Sequence, residues 1–216
     1  MTGALIIGAG PGLGGAIAHR FARAGLPITL IARSRTTVEA VARTLEPLDV
    51  RVLALTADTA DEAGLRSALD TARSEYGAPD ALIYNAGLIR RDAPGELSTP
   101  DHLHAWSVNV LGALTAATHL APAMAESGGG SILITGGMPA PDARYTSLSL
   151  GKAGVRALTE ILHQQYEPSG VHAATVTVYG DIAPGTAFDP DEIAEHYWRL
   201  HAQPRDEWQV EVAYRG

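Results

Sequence analysis

The chain has 216 residues, of which 46% are hydrophobic, and a formal net charge of −8. This length and apolar content suffice for one sizeable core, so we expect a single domain over residues 1–216. The acidic balance argues against a nucleic-acid partner, and the lack of cysteine excludes disulfide and thiolate sites. No basic leader or apolar run of roughly 20 residues is evident. We therefore expect a cytoplasmic protein without a membrane partner.

Short apolar runs alternate with longer helical patterns along the chain. The two longest predicted helices cover about Pro100–Ser127 and Ala143–Tyr166. Alternation of this kind predicts βαβ crossovers, and therefore an α/β fold: a single-domain Rossmann-type, doubly wound parallel sheet of about seven strands with helices on both faces. The predicted strands are Ala4–Ile7, Ile28–Ala32, Val50–Thr56, Ala81–Tyr84, Ser131–Thr135, Ala173–Val178 and a last one near Gln209–Ala213.

The first strand runs into a glycine-rich turn, "LIIGAGPGLGGAIA", and then into a helix. In this context glycines let backbone N–H groups and a helix N-terminus approach a pyrophosphate. The spacing is GxxxGxG, and a leucine interrupts the commoner GxGxxG. A tight strand-to-helix turn without a ligand would use the same residues. We favour a dinucleotide site that includes Gly8, Gly10, Gly12, Leu13 and Gly14.

Three further motifs complete a pattern. "YNAG" places Asn85, Ala86 and Gly87 directly after the fourth strand, "SVNVLGA" places Asn109 within a long helix, and "LTAD" ends the third strand with Asp58. With the GxxxGxG turn, these motifs resemble the short-chain dehydrogenase/reductase family over essentially the whole chain. The resemblance implies that the NAG turn lies beside the cofactor, that Asp58 contacts the adenine and that Asn109 is catalytic.

The rarity of two residue types supports these assignments independently. Asn85 and Asn109 are the only asparagines, and Lys152, in "SLGKAG", is the only lysine against 15 arginines. Asparagine is a poor helix former, so an ordinary surface position is a weak explanation for Asn109.

The cofactor type is indicated by the end of the second strand, "LIARSR". An acidic residue there would bind the ribose 2′-hydroxyl of NAD, whereas arginine accommodates the 2′-phosphate of NADP. Arg33 and Ser34 therefore favour NADP(H) over NAD(H). The alternative is that these residues only solvate the start of a helix.

The stretch "YTSLSLGKAG" resembles the active-site helix of the family, but its central residue differs. The family has a proton-donating tyrosine four residues before the lysine, and Leu148 stands there. Tyr145 lies seven residues before Lys152, which is the same helix face, but the rise is roughly 10 Å instead of about 6 Å. Tyr145 remains a candidate donor if it lies outside the helix, with a capping or packing role as the alternative.

Two other family positions are altered. "GSILITGG" aligns Gly136 and Gly137 with the paired serines that hold the substrate carbonyl, and Thr135 is a possible substitute. After the sixth strand, "VYGDIAPGTAF" has Tyr179 in place of the family's proline. The resemblance implies that Gly180 and Ile182 lie beside the nicotinamide, under a shortened lid.

The sequence favours an NADP(H)-dependent oxidoreductase that transfers hydride to or from a small carbonyl, imine or activated alkene, with candidate catalytic residues Asn109, Lys152, Thr135 and Tyr145. The alternatives are a silent NADP(H)-binding scaffold or sensor and, more weakly, a non-redox isomerase or cyclase. We expect no metal, because His102 and His104 face apart on a helix. By analogy with the family, we expect a homo-oligomer, a dimer or tetramer, formed through the two long helices.

Overall fold

Seven short strands form one entirely parallel sheet in a computed structural model that describes residues 2–216. The strand order is β3-β2-β1-β4-β5-β6-β7, which confirms the predicted α/β architecture. Three strands match the predicted bounds, β3 starts two residues later, β5 starts one residue earlier and β6 starts two earlier. The strands are β1 Ala4–Ile7, β2 Ile28–Ala32, β3 Val52–Thr56, β4 Ala81–Tyr84, β5 Gly130–Thr135, β6 Val171–Val178 and β7 Glu211–Tyr214.

Helices connect successive strands and cover both faces of the sheet. Helices α4 and α5 are continuous through a π-helical turn at Ser107–Leu111, and α6 begins three residues later than predicted, which leaves Tyr145 outside it. The helices are α1 Leu13–Arg23, α2 Arg35–Leu45, α3 Glu62–Tyr76, α4 Thr99–Trp106, α5 Gly112–Glu126, α6 Thr146–Tyr166 and α7 Pro190–His201.

Alternating strand residues divide the core into two layers. On one face Phe21 of α1 and Tyr197 of α7 pack on Leu30 and Leu133. On the other face, α3, α5 and α6 cover Ile132 and its neighbours. Strands buried on both sides explain the nearly continuous apolar runs of the sequence.

The continuous helical segment Thr99–Glu126 is 28 residues long and contains a window apolar enough for a membrane span, contrary to the expectation from the sequence. Within that window, 56% of the residues are buried inside the domain. The packing of α5 on α3 and on the sheet is that of a core helix.

The topology places a ligand crevice at the sheet's C-terminal edge. From β1 the chain builds outward to β2 and β3, and then crosses to β4 on the other side. The loops after β1 and β4 diverge at this point, and open α/β sheets bind ligands there.

Candidate functional site

A cleft of about 540 Å³ opens at this switch point, between the loops that follow β1, β2 and β4. Its volume is within the range of small-molecule sites. The lining includes backbone and side chains from the predicted motifs, namely Gly8, Gly10, Arg33, Ser34, Asn85, Ala86 and Gly87.

The four glycines of the first turn have two different roles. Gly8 has φ +87°, and a Cβ there would collide with the backbone of Ala86; a Cβ on Gly14 would collide with the carbonyl oxygen of Gly8. By contrast, a Cβ on Gly10 or Gly12 would meet nothing within 4 Å. Gly8 and Gly14 permit close packing of the turn. Gly10 and Gly12 leave an open cradle before the N-terminus of α1, where a pyrophosphate fits.

Leu13 differs from its glycine neighbours. It is the first residue of α1, and its side chain is buried in the hydrophobic core rather than exposed in the cleft. Only its backbone remains available to a ligand, because the side chain packs beneath the turn.

Asn85 ties three strands together at the floor of the cleft. Its Nδ2 donates to the Gly8 carbonyl oxygen at 3.0 Å, and its Oδ1 accepts from the Thr135 hydroxyl at 2.9 Å. A half-buried amide that bonds both neighbours fixes the position of the NAG turn.

Asn109 holds the same loop from the helical side. It lies in the π-helical turn, where its Oδ1 accepts from the Leu88 N–H at 2.8 Å and its Nδ2 donates to the Leu88 carbonyl oxygen at 3.4 Å. Helix α6 approaches closely, because a Cβ on Gly151 would lie 2.9 Å from the Asn109 Cβ. Asn109 thus links the loop after β4 to α6.

Arg33 is exposed at the rim of the cleft, and among residues 2–216 no hydrogen bond or ion pair engages its guanidinium. Arg35 is already paired, with its Nε 2.7 Å from Glu39 Oε1. Ser34 caps α2 by accepting from the Thr37 N–H at 3.4 Å. Arg33 is therefore the free cation at the end of β2.

Asp58 lies beside the cleft, but its carboxylate is occupied. Its Oδ1 accepts from the Ala60 N–H at 2.9 Å, and the cleft is lined by the flanking Ala57 and Thr59. The structure thus assigns the Asp58 side chain to a turn at the cleft's edge.

Lys152 is buried where β5 ends. Its Nζ donates to the Thr135 carbonyl oxygen at 2.7 Å, and a Cβ on Gly137 would lie 3.8 Å from its Cε. Burial lowers the pKa of the Lys152 ammonium from 10.5 to about 8. One turn earlier on α6, Leu148 is also buried and has no proton to exchange.

Thr135 requires a correction. Its hydroxyl bonds Asn85 and the Tyr197 phenol, the latter at 2.7 Å. Tyr197 belongs to α7, so this side chain faces the layer opposite α6. Strand alternation sends Ile134 toward α6 and Thr135 away from it. The hydroxyl therefore stabilises the fold, and only the Thr135 carbonyl faces Lys152.

Tyr145 precedes α6, with its ring centroid 5.8 Å from the Arg91 guanidinium. The start of α6 is fixed by a contact that the sequence did not indicate. The buried Asp92 carboxylate accepts from the Ser147 N–H at 2.9 Å and from the Ser147 hydroxyl at 2.8 Å. A carboxylate at a helix N-terminus is favourable, and here it links the loop after β4 to α6.

Gly180 and Ile182 lie outside the cleft lining. The Phe188 ring packs directly on Gly180, and the Ala183 N–H donates to the Phe188 carbonyl oxygen at 3.1 Å. The segment between β6 and α7 is therefore a short folded turn. Sequence reasoning missed the neighbour of Tyr179: the Arg215 guanidinium lies 4.3 Å from its ring centroid.

No group of three His, Cys, Asp or Glu side chains within residues 2–216 is arranged to hold a metal ion.

Comparison with known proteins identifies the family. The family model "short chain dehydrogenase" matches residues 2–186. The chain is 28% identical over 176 residues to D-threitol dehydrogenase of Mycolicibacterium smegmatis, covering 81% of this chain and 68% of the relative. It is 30% identical over 190 residues to cis-4-hydroxycyclohexanecarboxylate dehydrogenase of Sinomonas cyclohexanicum, covering 87% and 74%.

Solved structures agree on the fold. A metagenomic short-chain oxidoreductase in complex with NADP superposes with a TM-score of 0.90 at 22% identity, covering 99% of this chain and 96% of that one. L-sorbose reductase of Gluconobacter frateurii, complexed with NADPH and L-sorbose, gives 0.90 at 24% identity, covering 98% and 94%. Motifs, topology and the family match lead to one conclusion: this chain belongs to the short-chain dehydrogenase family.

Proposed function

We propose that the chain is an NADP(H)-dependent oxidoreductase that transfers hydride to or from a small carbonyl, imine or activated alkene. The observation that carries the proposal is the open glycine cradle with the unpaired Arg33 at its rim. A Cβ at position 10 or 12 would meet nothing within 4 Å, and this open space supports a ligand that approaches the backbone.

Each motif residue has a role in this proposal. Arg33 and the Ser34 hydroxyl bind the 2′-phosphate, and the backbone around Gly10, Gly12, Leu13 and the start of α1 binds the pyrophosphate. Asp58 and the NAG turn border the adenosine half. Gly180 and Ile182 offer backbone groups to the carboxamide.

Lys152 serves the other end of the cofactor. Its ammonium binds the nicotinamide ribose, while Asn109 keeps α6 and the loop after β4 in register. NADP(H), when bound, supplies or accepts the hydride. The chain's own residues position that group, exclude water around Lys152 and move protons.

The proton source is the atypical part of the site. Leu148 replaces the family's tyrosine, so the proton comes from Tyr145, which lies outside α6, or from water. A missing general acid costs about 10²- to 10⁴-fold in rate. Substrates that need little proton assistance, such as an iminium or an activated alkene, are therefore favoured over simple ketones.

The partners we propose are a small-molecule substrate and a second copy of the chain. The relatives' names, D-threitol dehydrogenase and cis-4-hydroxycyclohexanecarboxylate dehydrogenase, support a small substrate. Exposed apolar side chains on the two long helices support a homo-oligomer, namely Leu103, Leu111, Leu114, Leu150 and Ile161.

A second candidate function is an NADP(H)-binding scaffold or sensor without turnover. The observation that favours it is the burial of Leu148 at the place of the acid. Both candidates need the cofactor site, and only the first needs hydride transfer.

The deciding experiment follows NADPH consumption with a panel of cyclic imines, enones and ketones. The oxidoreductase proposal predicts turnover with imines or enones, and loss of that turnover in Lys152→Met. NADPH binding without consumption of any panel member would support the scaffold. Undiminished turnover in Lys152→Met would contradict the role of Lys152.

A further inference from the structure

A paired arginine and tyrosine lie at the far end of the sheet from the glycine cradle. Tyr179 follows β6 and Arg215 follows β7, and these strands pair with Val178 opposite Tyr214. Arg215 lies over the Tyr179 ring, and its Nη2 donates to the Tyr179 hydroxyl at 3.4 Å. Within residues 2–216 no other acceptor engages this guanidinium, which has five N–H donors.

Tyr179 lies on the same face of the sheet as Lys152. In β6, Ala173 belongs to the core beneath α6, and Val176 and Val178 belong to the opposite core. Alternation therefore directs Tyr179 to the α6 face. A Cβ on Gly137 would lie 3.8 Å from both the Lys152 Cε and the Val178 carbonyl oxygen, so Lys152 and the end of β6 flank this glycine.

Lys152 and Arg156 lie against Gly137, and Arg215 follows β7 beside Tyr179. Lys152, Arg156 and Arg215 form no ion pair within the described residues, although the chain carries a net charge of −8. Lys152 donates to the Thr135 carbonyl, and Arg156 donates to the carbonyls of Gly137 and Met138 at 3.4 and 3.3 Å. Arg215 is the member of this group whose donors are not used by backbone carbonyls.

This cation is too distant to serve the phosphates of a dinucleotide. In the strand order, β7 is five strands from β2 and four from β1. At about 4.8 Å per strand, these separations are about 24 Å and 19 Å. The phosphate-binding positions after β1 and β2 therefore lie across the sheet, and Lys152 lies between them and Arg215. An anion at Arg215 belongs to the other reactant.

We propose that the substrate carries a carboxylate, and that Arg215, held on the Tyr179 ring, binds it while the reacting carbon lies toward Lys152. A planar guanidinium matches a carboxylate in a two-point contact. The inference rests on the proposed oxidoreductase function and adds the class of its substrate: a small acid with a carbonyl, imine or alkene.

The test compares carboxylates with neutral esters that have the same carbonyl. Calorimetric titrations use acetoacetate against its methyl ester, and benzoylformate against its methyl ester, with and without NADPH. The wild-type chain is compared with Arg215→Gln. The control, Arg144→Gln, removes an arginine at the same edge of the sheet that is already paired with Asp142, 2.7 Å away.

The wild-type protein is expected to bind at least one acid about tenfold or more tightly than its ester, and Arg215→Gln to remove that preference. The control should retain it. Equal binding of acid and ester, no binding of either, or an unchanged preference in Arg215→Gln would overturn the inference.

The two proposals fail in different ways. Binding of the acid through Arg215 without NADPH consumption by any compound would leave the anion site standing and contradict the oxidoreductase function. Hydride transfer that shows no preference for acids would support the oxidoreductase function and contradict the anion site.

Discussion

The two halves of the site differ in how completely the family pattern is present. Around the loops after β1, β2 and β4, the glycine turn, the NAG turn and Asn109 are all in place and joined by hydrogen bonds. Around β5 and the start of α6, the proposed alignment puts Gly136 and Gly137 at the positions of the family's serines and Leu148 at that of its tyrosine.

The difference separates what the fold needs from what the reaction needs. Gly8 and Gly14 are required by backbone packing whether or not a ligand binds, so their presence alone says little about function. Gly10 and Gly12 are free of that constraint and are the better indication of a cofactor. Under the proposed function a phenol at position 148 would serve the chemistry, whereas the fold holds a buried leucine there.

The largest expected effect would restore the missing acid. Leu148→Tyr should raise ketone reduction by about 10²- to 10⁴-fold, because it returns a proton donor one turn before Lys152. The measurement is kcat/KM for NADPH-dependent ketone reduction. Leu148→Phe is the matched control, since it adds the ring without the hydroxyl and should give no gain. Equal rates for the two variants would show that the pocket, and not only the acid, has changed.

The glycine turn offers a sharper contrast between folding and binding. Gly8→Ala should lower the free energy of unfolding by about 2 kcal/mol or more, because it adds a backbone clash at positive φ. Gly10→Ala should leave stability within about 0.5 kcal/mol but weaken NADPH binding, since its methyl group enters the cradle. Urea unfolding and NADPH titration of both variants measure this. If Gly10→Ala bound NADPH as tightly as the wild type does, the dinucleotide would have to bind elsewhere.

Lys152 makes the free energy of unfolding depend on pH. Burial lowers the pKa of its ammonium from 10.5 to about 8, so between these values the unfolded chain binds more protons than the folded one. Its contribution to stability therefore rises with pH across that window, by up to about 3 kcal/mol. Urea unfolding of wild type relative to Lys152→Met should show the rise. A difference independent of pH would contradict the burial of a charged amine.

The fold was largely predictable, because strands buried on both faces produce unbroken apolar runs such as Ala4–Ile7. The edges were harder: β7 is an edge strand with alternating exposure and little apolar signal, and it was misplaced by about two residues. Much of the cleft lining was predictable because the glycine turn and the NAG turn are local motifs.

Long-range contacts account for what the sequence could not predict. Thr135 has the right hydroxyl and the right position along the chain, but strand alternation turns its side chain toward Tyr197. The bond between Asp92 and Ser147 and the contact between Tyr179 and Arg215 join residues far apart in sequence. No spacing pattern reveals such pairs, because only the packed sheet brings them together.

The central claim is a working cofactor site beside an altered catalytic helix. Its most direct test is a calorimetric titration of the wild-type chain and of Arg33→Gln with NADPH and with NADH. The account predicts that the wild type binds NADPH more tightly than NADH, and that Arg33→Gln loses most of that preference. Failure of the wild type to bind either dinucleotide would contradict it.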